Sequence, residues 1–169
     1  MNCVPAKQSD LAGISFSCGQ HYIDNYFKSK MLCDTKSVPY CFWADDNRKE
    51  LVGIAALSCS GIIIKSANSF HITPAIEVKI FAVDEKYQHK VFPDADEDGG
   101  HWSDYCLNYL LYEINIITEN VCGAEHVVLY SVPEAVSFYK RNSFESFTDL
   151  MQMPSNYFVD GCVPMFLNL

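Results

Sequence analysis

Asp94, Asp96, Glu97 and Asp98 crowd their carboxylates into one short segment. The pattern Asp94-x-Asp96-x-Asp98-Gly99 opens like a calcium-binding loop, with oxygen ligands at alternate positions and a turn glycine. At the twelfth loop position, where such a loop needs a bidentate Glu, the chain has Tyr105, preceded by Asp104. The run therefore reads as a solvated acidic loop, and no metal is expected. Directly after it, Gly99-Gly100-His101-Trp102 precedes a helix starting at Ser103. Glycines there let backbone N–H groups at the helix end approach an anion closely. The eight cysteines include no C-x-x-C pair and no Cys/His set at zinc spacing. They read as free thiols acting as small hydrophobes in a reducing compartment. His21, His71, His101 and His126 form no ligand set.

The elements that must position these groups follow from periodicity. At 169 residues the chain suits one domain, residues 1–169, decorated by an acidic insert at 93–102. No apolar run approaches the roughly 20 residues a membrane helix needs. The opening MNCVPAKQSD has no basic leader or apolar core, which points to a cytoplasmic protein without a membrane partner. A net charge of −9 argues against broad nucleic-acid binding. A local basic patch is still compatible, drawn from Lys28, Lys30, Lys140 and Arg141.

From Gln20 to Met31 the apolar residues Ile23, Tyr26, Phe27 and Met31 recur at helical spacing. Pro39–Ala44 and Leu51–Ser58 read as strands of a hairpin around the Asp45–Arg48 turn. Gly61–Ile64 either continues the second strand past a kink or forms a separate piece. Ser66–Thr73 reads as a loop, and Ala75–Val83 as a largely buried strand. Leu107, Leu110, Leu111, Ile114 and Ile117 stripe a long helix, broadened by Tyr105, Tyr109 and Tyr112. Ser103 is its expected N-cap and Gly123 its left-handed stop. Val127–Tyr130 is a strand, and Pro133 opens a short helix that Asn142 ends in the left-handed region. In the last strand, Val163–Leu169, Met165, Leu167 and Leu169 share a face. The order α, β-meander, α, β, α, β predicts an α+β domain.

That order, with five local sequences, resembles the GCN5-related N-acetyltransferase (GNAT) superfamily over nearly the whole chain. Phe16-Ser17-Cys18-Gly19 ahead of Ile23-Asp24 is similar to the F-x-C-G…L/I-D opening of one branch. Leu51-Val52-Gly53-Ile54 resembles its third strand, and Phe81–Gln88 its "LAVDKRYQG" segment. Glu134–Phe144 resembles "EAVAFYERFGF", and Met165–Leu169 its "MFLPL" ending. Lys79 falls where many members of the branch carry Arg. The branch includes toxins that acetylate aminoacyl-tRNA.

The resemblance implies a mixed, largely antiparallel central sheet flanked by helices. It also implies an acetyl-CoA-dependent N-acetyltransferase, with acetyl-CoA as co-substrate and a primary amine as acceptor. The acceptor classes are a small molecule, a peptide or an aminoacyl group; aminoacyl-tRNA is not excluded, and a homodimer is compatible. Phe81, Ala82 and Val83 would bind pantetheine. Gln88, His89, Lys90 and Val91 would form the pyrophosphate loop, with Gly99 and Gly100 as the alternative phosphate turn. Tyr139 would be the general acid that reprotonates the thiolate, since a phenol of pKa ~10 is protonated at neutral pH. Glu77 would be the base for the incoming amine. The chain departs from the family pattern where Val91 and Pro93 occupy the loop's glycine positions, because Pro93 has no N–H and Val91 resists positive φ. That departure motivates a second reading, a GNAT-fold binding or regulatory protein without catalysis.

Overall fold

The computed structural model describes residues 1–95, 99–153 and 161–169. The chain forms two compact units: Met1–Leu57 with Ile80–Glu113, and Ser58–Lys79 with Ile114–Leu169.

In the first unit, β1 (Asn2–Pro5) pairs antiparallel with β2 (Val38–Trp43), Asn2 opposite Trp43 and Pro5 opposite Tyr40. The sequence gives β1 little signal of its own, because Cys3 and Val4 are its only strand formers; pairing with β2 makes it a strand. β2 pairs antiparallel with β3 (Leu51–Ser66), and the register slips between Phe42 and Trp43. That slip is a bulge, which twists and bends a strand locally. A one-turn α1 (Gln8–Leu11) precedes α2 (His21–Ser29), which runs into a 3-10 turn at Met31–Cys33. The expected α2 stripe holds. Tyr26 and Met31 are buried with Phe16, Cys18, Cys41, Trp43, Leu51, Ile54, Ile80 and Ala82, and Ile23 and Phe27 pack on them.

β3 is one strand from Leu51 to Ser66, without a break at Gly61. β4 begins at Ser69, not Ala75, and ends at Val83. The loop expected at Ser66–Thr73 is thus a two-residue turn, Ala67-Asn68. A tight turn between paired strands imposes strand geometry on Ser69–Thr73, overriding their weak local preference. Phe70 and Ile72 on this arm are exposed.

In the second unit, β4 runs parallel to β5 (His126–Ser131) from Ala75–His126 to Val78–Leu129. β8 (Val163–Asn168) pairs antiparallel with β5 and with the short β6 (Glu145–Ser146). β7 (Met151–Gln152) pairs with β3 at Ile63 and Ile64. The strand order is β1-β2-β3-β4-β5-β8-β6, with β7 beside β3, a mixed and mostly antiparallel sheet. Met165 and Phe166 are both buried and Leu169 is exposed, so the expected Met165/Leu167/Leu169 face is corrected. Phe166 packs with Ile62, Ala75, Val128 and Met153, so this strand buries residues of both parities.

α3 (Trp102–Asn120) and α4 (Val136–Arg141, after a 3-10 turn at Pro133–Ala135) are the remaining helices. On α3, Cys106, Leu107, Leu110 and Ile114 are fully buried, whereas Tyr109 and Tyr112 face solvent and do not broaden the stripe. The helix starts one residue before Ser103 and ends at Asn120, with Val121 and Cys122 N–H groups returning to the Ile117 carbonyl. Gly123 therefore lies beyond the stop and has no positive φ. After α4 the left-handed residue is Ser143 (φ 68°), not Asn142 (φ −95°).

Candidate functional site

The end of β4 is held by its own acidic residue. Asp84 is buried. Its Oδ2 accepts the Ser17 N–H at 3.2 Å, and its Oδ1 accepts the Lys86 N–H at 3.1 Å. Its own N–H donates to the Val52 carbonyl at 2.8 Å. That bond fixes the strand's orientation. Peptide groups alternate sides along a strand, so with Asp84 facing β3 the peptide groups of Phe81 and Val83 face the opposite edge. The side chains of Ala82 and Val83 are buried, and Phe81 lies edge-on to Phe42 at 5.8 Å.

Gln88 closes this corner. Its Nε2 donates to the Val83 carbonyl at 2.8 Å and to the Cys18 carbonyl at 2.9 Å. Its side chain therefore braces the strand end against the Ser17–Cys18 loop. The same loop is gripped by Asp24, whose carboxylate accepts the Cys18 N–H at 2.8 Å and the Ser17 hydroxyl at 3.1 Å. The Cys18 N–H holds the Asp24 carboxyl below the usual carboxylate range. The segments that carried the resemblance, Phe16–Asp24 and Val83–Gln88, thus bind each other.

The loop after β4 folds back on itself. Its left-handed residue is His89 (φ 58°), so Val91 meets no such demand. Gln88 and Lys90 donate their N–H groups to the carbonyls of Asp84 and Tyr87. Val91 sits opposite His101 in an antiparallel bridge, with Phe92 N–H on Gly100 O at 2.9 Å and Trp102 N–H on Lys90 O at 3.1 Å. Gly99 is left-handed (φ 70°), as a turn glycine at this point requires. At the start of α3 the Asp104 carboxylate accepts the His101 N–H at 3.1 Å and lies 3.6 Å from the His101 ring. This is half a capping box, in which the N3 carboxylate reaches back to the N-cap. Rings close the loop: Tyr87 and Trp102 are 4.7 Å apart, Phe92 and Trp102 4.7 Å, and Phe92 stacks on Tyr105 at 4.1 Å.

The second unit holds Tyr139 and Glu77. Tyr139 is buried on α4, edge-on to Phe138 at 5.0 Å and Phe144 at 5.5 Å. Burial pushes its phenol well above the ordinary tyrosine range, so it is protonated at any physiological pH. Glu77 accepts the Ser58 hydroxyl at 3.5 Å. The Tyr130 phenol, on β5, is raised by burial and then by the Glu77 charge. Ser58 and Tyr130, which carry no signal in the sequence until the strands pair, are the residues the fold brings to Glu77.

Among the described residues there is no group of three or more His, Cys, Asp or Glu able to hold a metal. Asp96, Glu97 and Asp98 of the calcium-like run lie outside those residues. All eight cysteines are free. Burial pushes the Cys18 and Cys41 thiols up to about 11 and about 12. No helix is long and apolar enough to cross a membrane.

The sheet order and the helices are those of the GCN5-related N-acetyltransferase fold. No family model and no curated protein sequence matches the chain. Solved structures do. A bacterial toxin superimposes with TM-score 0.70 at 19% identity, covering 98% of this chain and 90% of that one. The toxin–antitoxin complex AtaTR bound with acetyl-CoA gives TM-score 0.65 at 14% identity, with 99% and 93% covered. AtaT complexed with acetyl-methionyl-tRNA gives 0.65 at 12%, with 96% and 94% covered.

Proposed function

We propose that this chain, as one catalytic domain over residues 1–169, is a cytoplasmic acyl-CoA-dependent N-acetyltransferase acting on a primary amine. The observation that supports this most is the end of β4, where the peptide groups of Phe81 and Val83 face the edge away from β3. A pantetheine arm carries two amides and would lie along this edge, where the Val83 N–H can donate to one of its carbonyls. Ala82, Val83 and Asp84 are buried, so the edge is preorganised.

In the reaction, Glu77 takes a proton from the amine, whose nitrogen attacks the thioester carbonyl carbon. The N–C bond forms as the C–S bond breaks, and Tyr139 gives its phenolic proton to the departing thiolate. AtaT, with its bound acetyl-methionyl-tRNA, makes an aminoacyl group one acceptor class to test. Lys28 and Lys30 on α2 in the first unit, and Lys140 and Arg141 on α4 in the second, are each a candidate pair of cations for a phosphate backbone.

Calorimetric titration with acetyl-CoA, followed by thiol release in the presence of amines, tests the reading. Binding with turnover is expected; a folded protein that binds no acetyl-CoA at millimolar concentration would overturn it. A second reading, a binding or regulatory protein without catalysis, is favoured by the loop N–H groups of Gln88, Lys90, Phe92, His101 and Trp102, all of which have internal acceptors. Binding of an acyl donor without turnover of any amine would select it.

A further inference from the structure

We propose that Ser58 and Tyr130 are positioning residues for Glu77: the Ser58 hydroxyl fixes one oxygen of its carboxylate and Tyr130 walls its other flank, which leaves the second oxygen to take the proton of the amine. This deepens the acyltransferase reading above and rests on its assignment of Glu77 as the base. Ser58, Glu77 and Tyr130 all belong to the second unit. Glu77 lies on β4 with a strand on either side. On the β3 side, the Ser58 hydroxyl donates to Glu77 Oε2 at 3.5 Å. That is long for a hydroxyl donor, as the bonds of catalytic groups are before substrate closes the site. On the β5 side, Glu77 stands opposite Val128. Tyr130 is two residues further along β5 and shares the face of Val128, and a diagonal neighbour of this kind is within reach of long side chains.

The sheet face beneath them is apolar. Ala75, Val128, Phe166 and Ile62 are buried together, and Tyr130 packs against that cluster. The Tyr130 ring is thereby seated, and its phenol is near enough to Glu77 for the carboxylate charge to add to burial in raising its pKa. The phenol therefore stays protonated at neutral pH and occupies volume that water would otherwise take. Lys79 and Glu145 on the neighbouring stretches are exposed, and His126 stands edge-on to Phe166 at 6.0 Å. Ser58, Glu77 and Tyr130 are each half-buried, so the carboxylate is shielded in part and still open to a substrate. An ionised carboxylate accepts through two oxygens. With Oε2 engaged by Ser58, Oε1 is the oxygen presented to the amine, and its direction is set by two strands instead of by the rotation of a long side chain. A base has to meet its proton within about 3 Å, and misplacement by about 1 Å costs up to two orders of magnitude in rate.

The experiment measures kcat, and KM for acetyl-CoA and for one amine, in Ser58→Ala, Ser58→Thr and Tyr130→Phe, each made also in a Glu77→Gln background. Ser58→Ala should lower kcat about tenfold with KM for acetyl-CoA unchanged, because the base is displaced while the donor's site is intact. Ser58→Thr restores the hydroxyl on a residue at home in a strand, and should return kcat to within about twofold of the parent. Tyr130→Phe keeps the ring on its cluster and should lower kcat about threefold. In the Glu77→Gln background both losses should disappear, since residues that act through one group are not additive. Equal losses in both backgrounds, or no loss in the parent, would assign Ser58 and Tyr130 to packing and overturn the proposal while leaving the acyltransferase reading intact. The Tyr130 phenol gives a readout independent of turnover, followed by NMR with ring-labelled tyrosine. Its titration should move to lower pH in Glu77→Gln, where the charge that raises it is gone. No movement would show that the carboxylate does not face Tyr130 and would overturn the proposal. Absence of turnover in the parent with every amine tried would remove the acyltransferase reading, and the proposal with it.

Discussion

A side chain on Gly53 would place its Cβ 2.6 Å from the carbonyl oxygen of Ala82 and 3.3 Å from the Cα of Val83. The glycine lets β3 lie against the end of β4 at the point where the strand presents its outer edge. Gly53→Ala must push the Ala82 carbonyl aside, and overpacking of this kind costs about 1–3 kcal/mol. We expect a lower urea midpoint together with weaker donor binding by calorimetry. Unchanged values for both would show that the strand end tolerates displacement.

Asp24 is held in its charged form by the Cys18 N–H and the Ser17 hydroxyl. Its folded-state pKa is lowered, so its contribution to stability is present above the unfolded carboxylate range and is lost as pH falls through the folded value. Asp24→Asn should therefore unfold at lower urea than the parent at pH 7, with the difference shrinking as pH falls below the ordinary carboxylate range. A difference that persists in acid would show that the carboxylate charge is not what grips the loop.

Tyr139→Phe keeps the ring against Phe138 and Phe144 and removes only the hydroxyl. On the proposed reaction, kcat should fall by about 100-fold or more while donor affinity and thermal stability stay near the parent's. Because burial raises the phenol's pKa, no alkaline fall in rate should trace to this residue below about pH 10. Unaltered turnover would remove its acid role.

Glu77→Gln leaves a side chain able to accept from Ser58 and cannot take a proton. As the amine's base, it should lower kcat/KM at neutral pH by roughly two orders of magnitude, with less loss at high pH where the amine is already neutral. A uniform, small loss at every pH would make Glu77 a strand-packing carboxylate.

Cys33 and Cys59 are exposed, whereas Cys3, Cys18, Cys41 and Cys106 are buried. Thiolate is the reactive form, and burial raises the Cys18 and Cys41 thiols far above pH 8. Iodoacetamide at pH 8, read by peptide mass, should label Cys33 and Cys59 in the folded protein and reach Cys41 only after denaturation. Early labelling of Cys41 would contradict its burial.

What the sequence made legible was whatever local order decides. The α2 stripe, the α3 core positions, the Leu51 strand and the Val127 strand stand where periodicity put them, because burial on one face is written in residue spacing. What it hid depends on partners. β1 is a strand only through β2, and Ser69–Thr73 only through the turn that pairs them with β3. Tyr112 is an aromatic expected to broaden the helix stripe, yet it is exposed. Gln88 shows the same limit at the site: its place in the motif was legible, but its use, bridging Val83 and Cys18, needs a residue seventy positions earlier. Asp84 and Asp24 went unassigned for that reason too.

That separation bears on how the molecule assembles. Closing a loop of this length costs more chain entropy than forming a local turn, and contacts distant in sequence slow folding. The braces on the strand edge at Phe81–Val83 therefore join residues about seventy positions apart, a contact that loop closure makes slow to form. During synthesis the first half of the chain must wait, without its Asp84 and Gln88 braces, until about seventy more residues have emerged from the ribosome. A chain interrupted before Gln88 would leave Cys18 and its neighbours without their partner, an exposed apolar corner of the kind chaperones hold.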